Sequence, residues 1–568
     1  MNPLEKPWWE LWPGRLEYEL KQLESAHIEH RLIPELERRG IIGVDLRLWH
    51  EGQDFVMRAV FPSTYPFFRP DVFAKPGTFR KHQNPFVGNL CLLGRATFNW
   101  NTSDTLATLI QEQFPKLFAS ATSHDSAAVA LLEEHQGEPA SAFYTYAKDS
   151  IILITGTDGA RPAINGNLEL RIDFRRMPSI HGWLTDLRAP NGQKLLNSTT
   201  PAPNHYKQVI GKWFALPEAP PSADGLALEK WLLEKGLIKR ATFDQRHENW
   251  GIDVTGIVFP EEITYGQQGD GWLFLLRTRG ERSSGTRIEI IRAGRVSSDD
   301  FAVRIPSLRF LRSKHITLFG LGALGANAAL ELARSGVGKL SLVDFDFVEP
   351  GSVVRWPLGL QSAGFSKTTS LKAFIEAQYP WTNIKTFEHR VGAAAQLFDK
   401  DERMILKEEL AEADIILDLT TETGVHQMLS FYARLQQVPY VYGYATPGGV
   451  GGLVARFDSR RQMGCWLCLQ RALYQTKTIP EPPFLDDGSP QPPGCAERTF
   501  TGAAFDLAEV TLEAVKMTVS SISPRMPGDY PPTDWDVSVL SMRSAAEQRL
   551  APVWSRYSLP PDPECKCT

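Results

Sequence analysis

Hydrophobic and polar residues change rhythm along this chain, and the changes divide it. From Arg15 to Arg39, Leu, Glu and His recur at helical spacing. In Ile41–Leu48 and Asp54–Phe61 apolar and polar residues alternate, as in strands with one buried face. Thr105–Ala121 returns to helical spacing, so residues 1–150 predict an α+β domain. Residues 151–305 mix strand patterns at Ile151–Thr155, Trp272–Arg277 and Arg287–Ile291 with one helix, Leu226–Lys235. Pro217, Pro220 and Pro221 mark a loop within that region, which carries no catalytic motif and reads as a scaffold. From Lys314 the rhythm is strand, Gly-rich turn, helix, strand: His315–Phe319, Gly325–Ser335, Leu340–Val343. That βαβ order predicts a parallel, doubly wound sheet over residues 306–568. Further strands are expected at Ile415–Leu417 and Val438–Tyr442, and a helix at Phe505–Val519. The Pro-rich run Ile479–Gly494 reads as a crossover loop. The fold class expected is α/β multidomain.

Composition narrows the function classes. A chain of 568 residues exceeds one core. A net charge of -5 gives no reason to expect nucleic acid or an anionic membrane as partner. No apolar run approaches the roughly 18 residues of a membrane span. The first ten residues lack an apolar h-region, so no secretory signal is expected. Six cysteines are too few for a disulfide scaffold, and a cytoplasmic location fits them. Cys91 stands alone and the other five follow residue 460, a distribution that suggests chemistry rather than cross-linking.

Gly320, Gly322 and Gly325 lie between a strand and a helix, where backbone N–H groups can approach a phosphate. Asp344 follows at the distance of a ribose-binding acid, which suits a dinucleotide as well as ATP. Arg355 and Lys367, converging on the same turn, favour a triphosphate over a neutral nicotinamide. Residues 310–525 resemble the adenylation domain shared by ubiquitin-activating enzymes and the bacterial MoeB/ThiF proteins. That family carries Asp-x-Asp-x-Val-x-x-Ser-Asn-Leu-x-Arg-Gln after its second strand. Here Asp344, Asp346, Val348 and Arg355 match, while Ser352 and Trp356 stand for the asparagine and glutamine. The resemblance implies ATP as substrate, with ribose on Asp344 and phosphates on Arg355 and Lys367. The later Asp-x-Thr-Asp motif appears as Asp418-Leu419-Thr420-Thr421, so Asp418 or Glu422 is the expected acid near Mg²⁺.

Cys465-Trp466-Leu467-Cys468 is a C-x2-C knuckle that can supply two thiolates to a tetrahedral Zn²⁺. A redox role is the rival, without a thioredoxin-like context. In the resembled family a second cysteine pair completes a structural zinc, which implicates Cys565 and Cys567. Cys495, beside Arg498 and before a helix, has the setting of a low-pKa thiol. The resemblance makes it the thiol that attacks the acyl-adenylate; a fourth zinc ligand is its other role.

Residues 15–150 resemble the ubiquitin-conjugating fold. The matching residues are Tyr65-Pro66 with Pro70, then His82-Gln83-Asn84, Gly88-Asn89-Leu90-Cys91-Leu92 and Trp100. Gln83 stands where that family has proline, and the loop is shorter. The resemblance makes Cys91 an acyl-accepting thiol and Asn84 an oxyanion donor, with His82 structural. The order of the two resembled domains is similar to that of the activating–conjugating fusion proteins of bacterial CBASS antiphage operons. Their middle region is an inactive adenylation-like domain, which is the expectation for residues 151–305. The implied reaction joins the C-terminal carboxylate of a cGAS-like nucleotidyltransferase, or another ubiquitin-like protein, to a lysine of a target protein. A homodimer is implied as well. The other reading is a MoeB/ThiF-like adenylyltransferase serving sulfur transfer, with the N-terminal domain for docking.

Overall fold

The computed structural model describes residues 6–92, 100–122, 137–155, 164–196, 203–264, 267–280, 285–296, 302–392, 408–461, 463–485, 499–544, 546 and 548–565. Two compact units divide the chain, residues 1–295 and 296–568.

The first unit opens with an antiparallel meander: Glu29–Leu32, Gly43–His50, Gln53–Val60 and Asp71–Ala74. Helices Arg15–Ser25 and Leu106–Thr122 flank it, and Leu23, Met57, Ile110 and Phe114 share its core. The single helical run expected from Arg15 to Arg39 is broken. His27 takes φ +55°, which ends the first helix, and Glu29–Leu32 becomes an edge strand. Its sequence Glu-His-Arg-Leu has no strand signature, because neither face is fully buried.

Residues 146–295 differ from the α/β, adenylation-like fold expected of 151–305. Gln267–Gly280 pairs with Trp250–Thr264 on one side and Arg287–Arg295 on the other. The pairing continues through Tyr146–Ile154, His181–Arg188, Asn165–Ile172 and Lys207–Ala215, and returns to Trp250–Thr264. The strands therefore close into a barrel. Trp272, Phe274 and Leu276 belong to its inner core, with Trp213 and Leu170. Leu273 and Leu275 belong to an outer cluster under the helix Gly225–Glu234. A strand buried on both faces reads as an uninterrupted apolar run, and so does a parallel strand of an α/β sheet; the pattern cannot separate them.

The second unit follows the predicted pattern. Its strands are β1 (His315–Phe319), β2 (Lys339–Val343), β3 (Asn383–Phe387), β4 (Ile415–Asp418), β5 (Tyr440–Ala445), β6 (Gly451–Phe457), β7 (Val537–Arg543) and β8 (Arg549–Tyr557). They lie in the order β3-β2-β1-β4-β5-β6-β7-β8. The strands from β3 to β5 are parallel, and β6, β7 and β8 run antiparallel to their neighbours. Every residue of β1 is buried, as a central parallel strand requires. Chain order reverses between β1 and β4, which opens a crevice at their C-terminal ends where ligands bind in such sheets.

Candidate active site

The Gly-rich turn sits at that crevice, and its three glycines do different work. Gly320 has φ +81°, and a Cβ there would lie 2.7 Å from the Thr420 nitrogen. A Cβ on Gly325 would lie 1.8 Å from the Gly320 carbonyl oxygen. Both positions exclude a side chain within the protein itself. A Cβ on Gly322 would meet nothing within 4 Å, so its glycine keeps a face open rather than relieving a clash. Gly322 is also the N-cap of helix Ala323–Arg334 and makes no side-chain cap bond. The N–H groups of the first turn, with the positive end of the helix dipole, therefore face the crevice as an anion site.

Acidic and basic side chains complete the rim. Asp344 Oδ2 accepts the Leu321 N–H at 2.6 Å and Oδ1 accepts the Asp346 N–H at 2.8 Å, which ties the end of β2 to the Gly turn. Lys367 donates to Asp346 Oδ2 at 2.6 Å. It opens the helix Lys367–Gln378, so an ammonium and a positive dipole end coincide there and favour an anion. Arg355 is half-buried. Its guanidinium donates to the Phe500 carbonyl and stands 5.4 Å from the Phe500 ring centre. Among the described residues no carboxylate lies within 4 Å of it. Burial pulls its pKa down, the mark of a cation lacking a counter-charge.

Asp418 is differently placed. It is fully buried at the end of β4. Oδ1 accepts the Thr420 N–H at 2.9 Å and hydroxyl at 2.7 Å, and Oδ2 lies 2.9 Å from His426 Nδ1 and accepts the Tyr440 hydroxyl at 2.7 Å. Four partners occupy its lone pairs, so this carboxylate does not fit a cation site. It fixes Thr420, the residue against which Gly320 packs. Glu422 is exposed at the N-cap of helix Thr423–Leu435 and makes no side-chain cap bond. Trp356, in the glutamine position, donates its ring N–H to the Leu321 carbonyl at 3.0 Å and supports the turn from below. Sequence reasoning missed Asn327, which donates to the Ala323 and Arg355 carbonyls, and Phe500; neither belongs to a local motif.

Three of the four proposed metal ligands converge. Cys465 Sγ lies 3.8 Å from Cys468 Sγ and 3.6 Å from Cys565 Sγ. Thiolates about 2.3 Å from one tetrahedral zinc stand about 3.8 Å apart, so the three sulfurs fit that ion. Cys567 and Cys495 lie outside the described residues.

Cys91 is exposed, at the end of a loop in the first unit. Asn84 N–H donates to the Asn89 carbonyl at 2.8 Å, and the Asn84 side-chain oxygen accepts the N–H groups of Phe86 and Val87 at 2.9 and 3.1 Å. The Asn84 carbonyl oxygen is thus spent on its own turn, leaving the amide N–H₂ as the group with donors to offer. Gln83 is buried; it accepts the Phe79 N–H at 2.9 Å and donates to the Lys75 carbonyl at 2.9 Å. Proline could make neither side-chain bond, which gives this departure a structural reason.

Residues 300–521 match the ThiF family. The uncharacterized proteins y4oA and y4qC of Sinorhizobium fredii (strain NBRC 101917 / NGR234) are similar along their whole lengths. The first is 32% identical over 99% of this chain and 97% of its own, the second 30% identical over 97% and 96%. The ATP-dependent ubiquitin transferase-like protein Cap2 of Enterobacter hormaechei subsp. hoffmannii (strain UCI 50) is 26% identical over 26% of this chain and 23% of its own.

Proposed function

We infer, for a chain that belongs to one family with y4oA and y4qC and carries a ThiF-type adenylation domain, an ATP-dependent relay of an acyl group. In the first step a protein's C-terminal carboxylate attacks the α-phosphate of ATP. Acyl-adenylate forms and pyrophosphate leaves. The helix N-terminus at Gly322, Arg355 and Lys367 hold the phosphates and the charge that develops on them. In the second step the Cys495 thiolate displaces AMP and the thioester forms. The acyl group then passes to the Cys91 thiol, and a lysine amine of a target protein takes it as an isopeptide, releasing the thiol. The Asn84 amide N–H₂ is the oxyanion donor of that last step. The acyl donor of this reading is the C-terminus of a cGAS-like nucleotidyltransferase or another ubiquitin-like protein, and the setting is antiphage defence.

The observation that carries the reading is Arg355: a half-buried guanidinium without a carboxylate partner among the described residues, on a residue whose backbone carbonyl accepts from Asn327 of helix Ala323–Arg334. The likeness to Cap2 supports the transfer steps. A zinc ion on Cys465, Cys468, Cys565 and Cys567 would supply structural cross-linking and no reaction chemistry.

The test is intact mass and non-reducing electrophoresis of the full chain with ATP and an acyl-donor protein. A thiol-sensitive adduct is expected. Cys495→Ala should abolish it, and Cys91→Ala should retain it while blocking conjugates. Conjugation by Cys91→Ala at the normal rate would refute the relay.

A further inference from the structure

The loop carrying Cys91 is fastened from outside its own sheet. His82, at its start, has φ +58°. A side chain in that left-handed region is strained and persists only where its surroundings over-determine it. Glu138 imposes it. Its two carboxylate oxygens accept the His82 backbone N–H at 3.0 and 2.8 Å, and one of them lies 3.0 Å from ring Nδ1. Ring Nε2 lies 2.9 Å from the Ser120 hydroxyl on helix Leu106–Thr122. The His82 carbonyl in turn accepts the Cys91 N–H at 2.7 Å. A continuous path thus runs from Glu138 to the backbone of the cysteine.

Glu138 is itself held by the barrel. Its N–H donates to Glu262 at 3.2 Å, and Lys81 lies 3.5 Å from the same carboxylate. Glu262 belongs to the barrel strand Trp250–Thr264. A second fastening is apolar. Phe86, within the loop, sets its ring 5.2 Å from Tyr144 and packs on the outer cluster of Phe214, Leu228 and Phe259. Burial pushes the Glu138 carboxyl up, but its bonds from His82 outweigh that and hold it below the usual carboxylate range. It is therefore an anion throughout the neutral range.

We propose that the barrel serves as the backing of the Cys91 loop, and that Glu138, acting through His82, is the residue that positions Cys91. The functional half of this inference rests on Cys91 being an acyl-carrying thiol; the geometric half does not. Glu138 does not touch the thiol and is a positioning residue. Its importance follows from thiol exchange, which needs reacting sulfur and carbonyl carbon about 3–3.5 Å apart; a misplacement of about 1 Å costs about 100-fold. This gives the barrel, which carries no motif of its own, a role in the chemistry.

Hydrogen exchange read by mass spectrometry on the full chain tests it, with Glu138→Ala and Glu138→Gln. In Glu138→Ala, peptides spanning residues 80–92 should exchange about tenfold faster or more, the worth of a charge-assisted hydrogen bond. Peptides from Trp250–Gly280 should be unchanged. Glu138→Gln, which keeps one acceptor oxygen, should fall between, and it carries the test should the alanine variant fail to fold. With ATP and an acyl donor, transfer to Cys91 should slow by about tenfold or more while the Cys495 adduct forms at the normal rate. Unchanged exchange at 80–92 would overturn the proposal. Faster exchange in a protein whose unmodified form never loads Cys91 would keep the clamp and discard the acyl-carrier reading.

Discussion

Two of the described loops carry parts of the proposed chemistry, and they are held by opposite means. The turn at Gly320–Gly325 is shaped by its own backbone. Gly320 and Gly325 are required by atoms of neighbouring backbone, at Thr420 and Gly320, and the turn's candidate working groups are N–H donors. The loop from His82 to Cys91 is shaped by side chains from afar: Gln83 reaching Lys75 and Phe79, Glu138 gripping His82, Phe86 seated on Tyr144. Backbone sterics dictate particular residues at fixed spacing. Remote clamps leave scattered residues that look ordinary one at a time.

The sharpest way to break this contrast lies inside the glycine turn. Gly325→Ala forces a Cβ against the Gly320 carbonyl and should destabilise the second unit by about 3 kcal/mol or more in denaturant unfolding. Gly322→Ala should leave the unfolding midpoint in place and weaken ATP binding. Equal midpoints for the two variants would defeat the steric account. Next, Arg355→Gln should weaken ATP by about 1.5–3 kcal/mol, measured by titration calorimetry, with thermal unfolding unaltered. Gln83→Ala should cost the first unit about 1–3 kcal/mol by stranding the Phe79 N–H and its carbonyl partners. A neutral result would mean that the Cys91 loop, like the glycine turn, holds itself.

The smallest effect serves as a control away from both loops. Arg175's hydrogen bonds, working against burial, hold the Asp173 carboxyl down to about 2. A folded value below the ordinary 3.8 adds stability that is complete above about pH 4 and fades as pH falls toward 2. Asp173→Asn should lack that acid limb in pH-dependent unfolding, and neither loop's chemistry should respond.

Legibility in the sequence follows the same division. β1 was readable residue for residue as His315–Phe319, and the parallel sheet followed from the strand–turn–helix order. Asp344, Lys367 and Arg355 could be named as candidates because they stand at fixed intervals after that turn. Asp418 was named as a candidate too, but its spacing could not reveal that Thr420, His426 and Tyr440 enclose it; that depends on partners from helix Thr423–Leu435 and β5. The barrel was hidden because two-sided burial erases strand alternation. Glu138, Asn327 and Phe500 were hidden because each meets a partner distant in sequence.

Cys465 and Cys565 are 100 positions apart yet 3.6 Å from sulfur to sulfur. An ion held by both would turn the intervening chain, with β7, β8 and the proposed Cys495 nucleophile, into one closed loop. In chain-entropy terms a covalent closure of that length is worth about 4–5 kcal/mol, mostly by restricting the unfolded state. A single protease cut inside the loop would then leave two fragments joined by the ion as well as by the sheet, and a chelator would remove the first of those links alone.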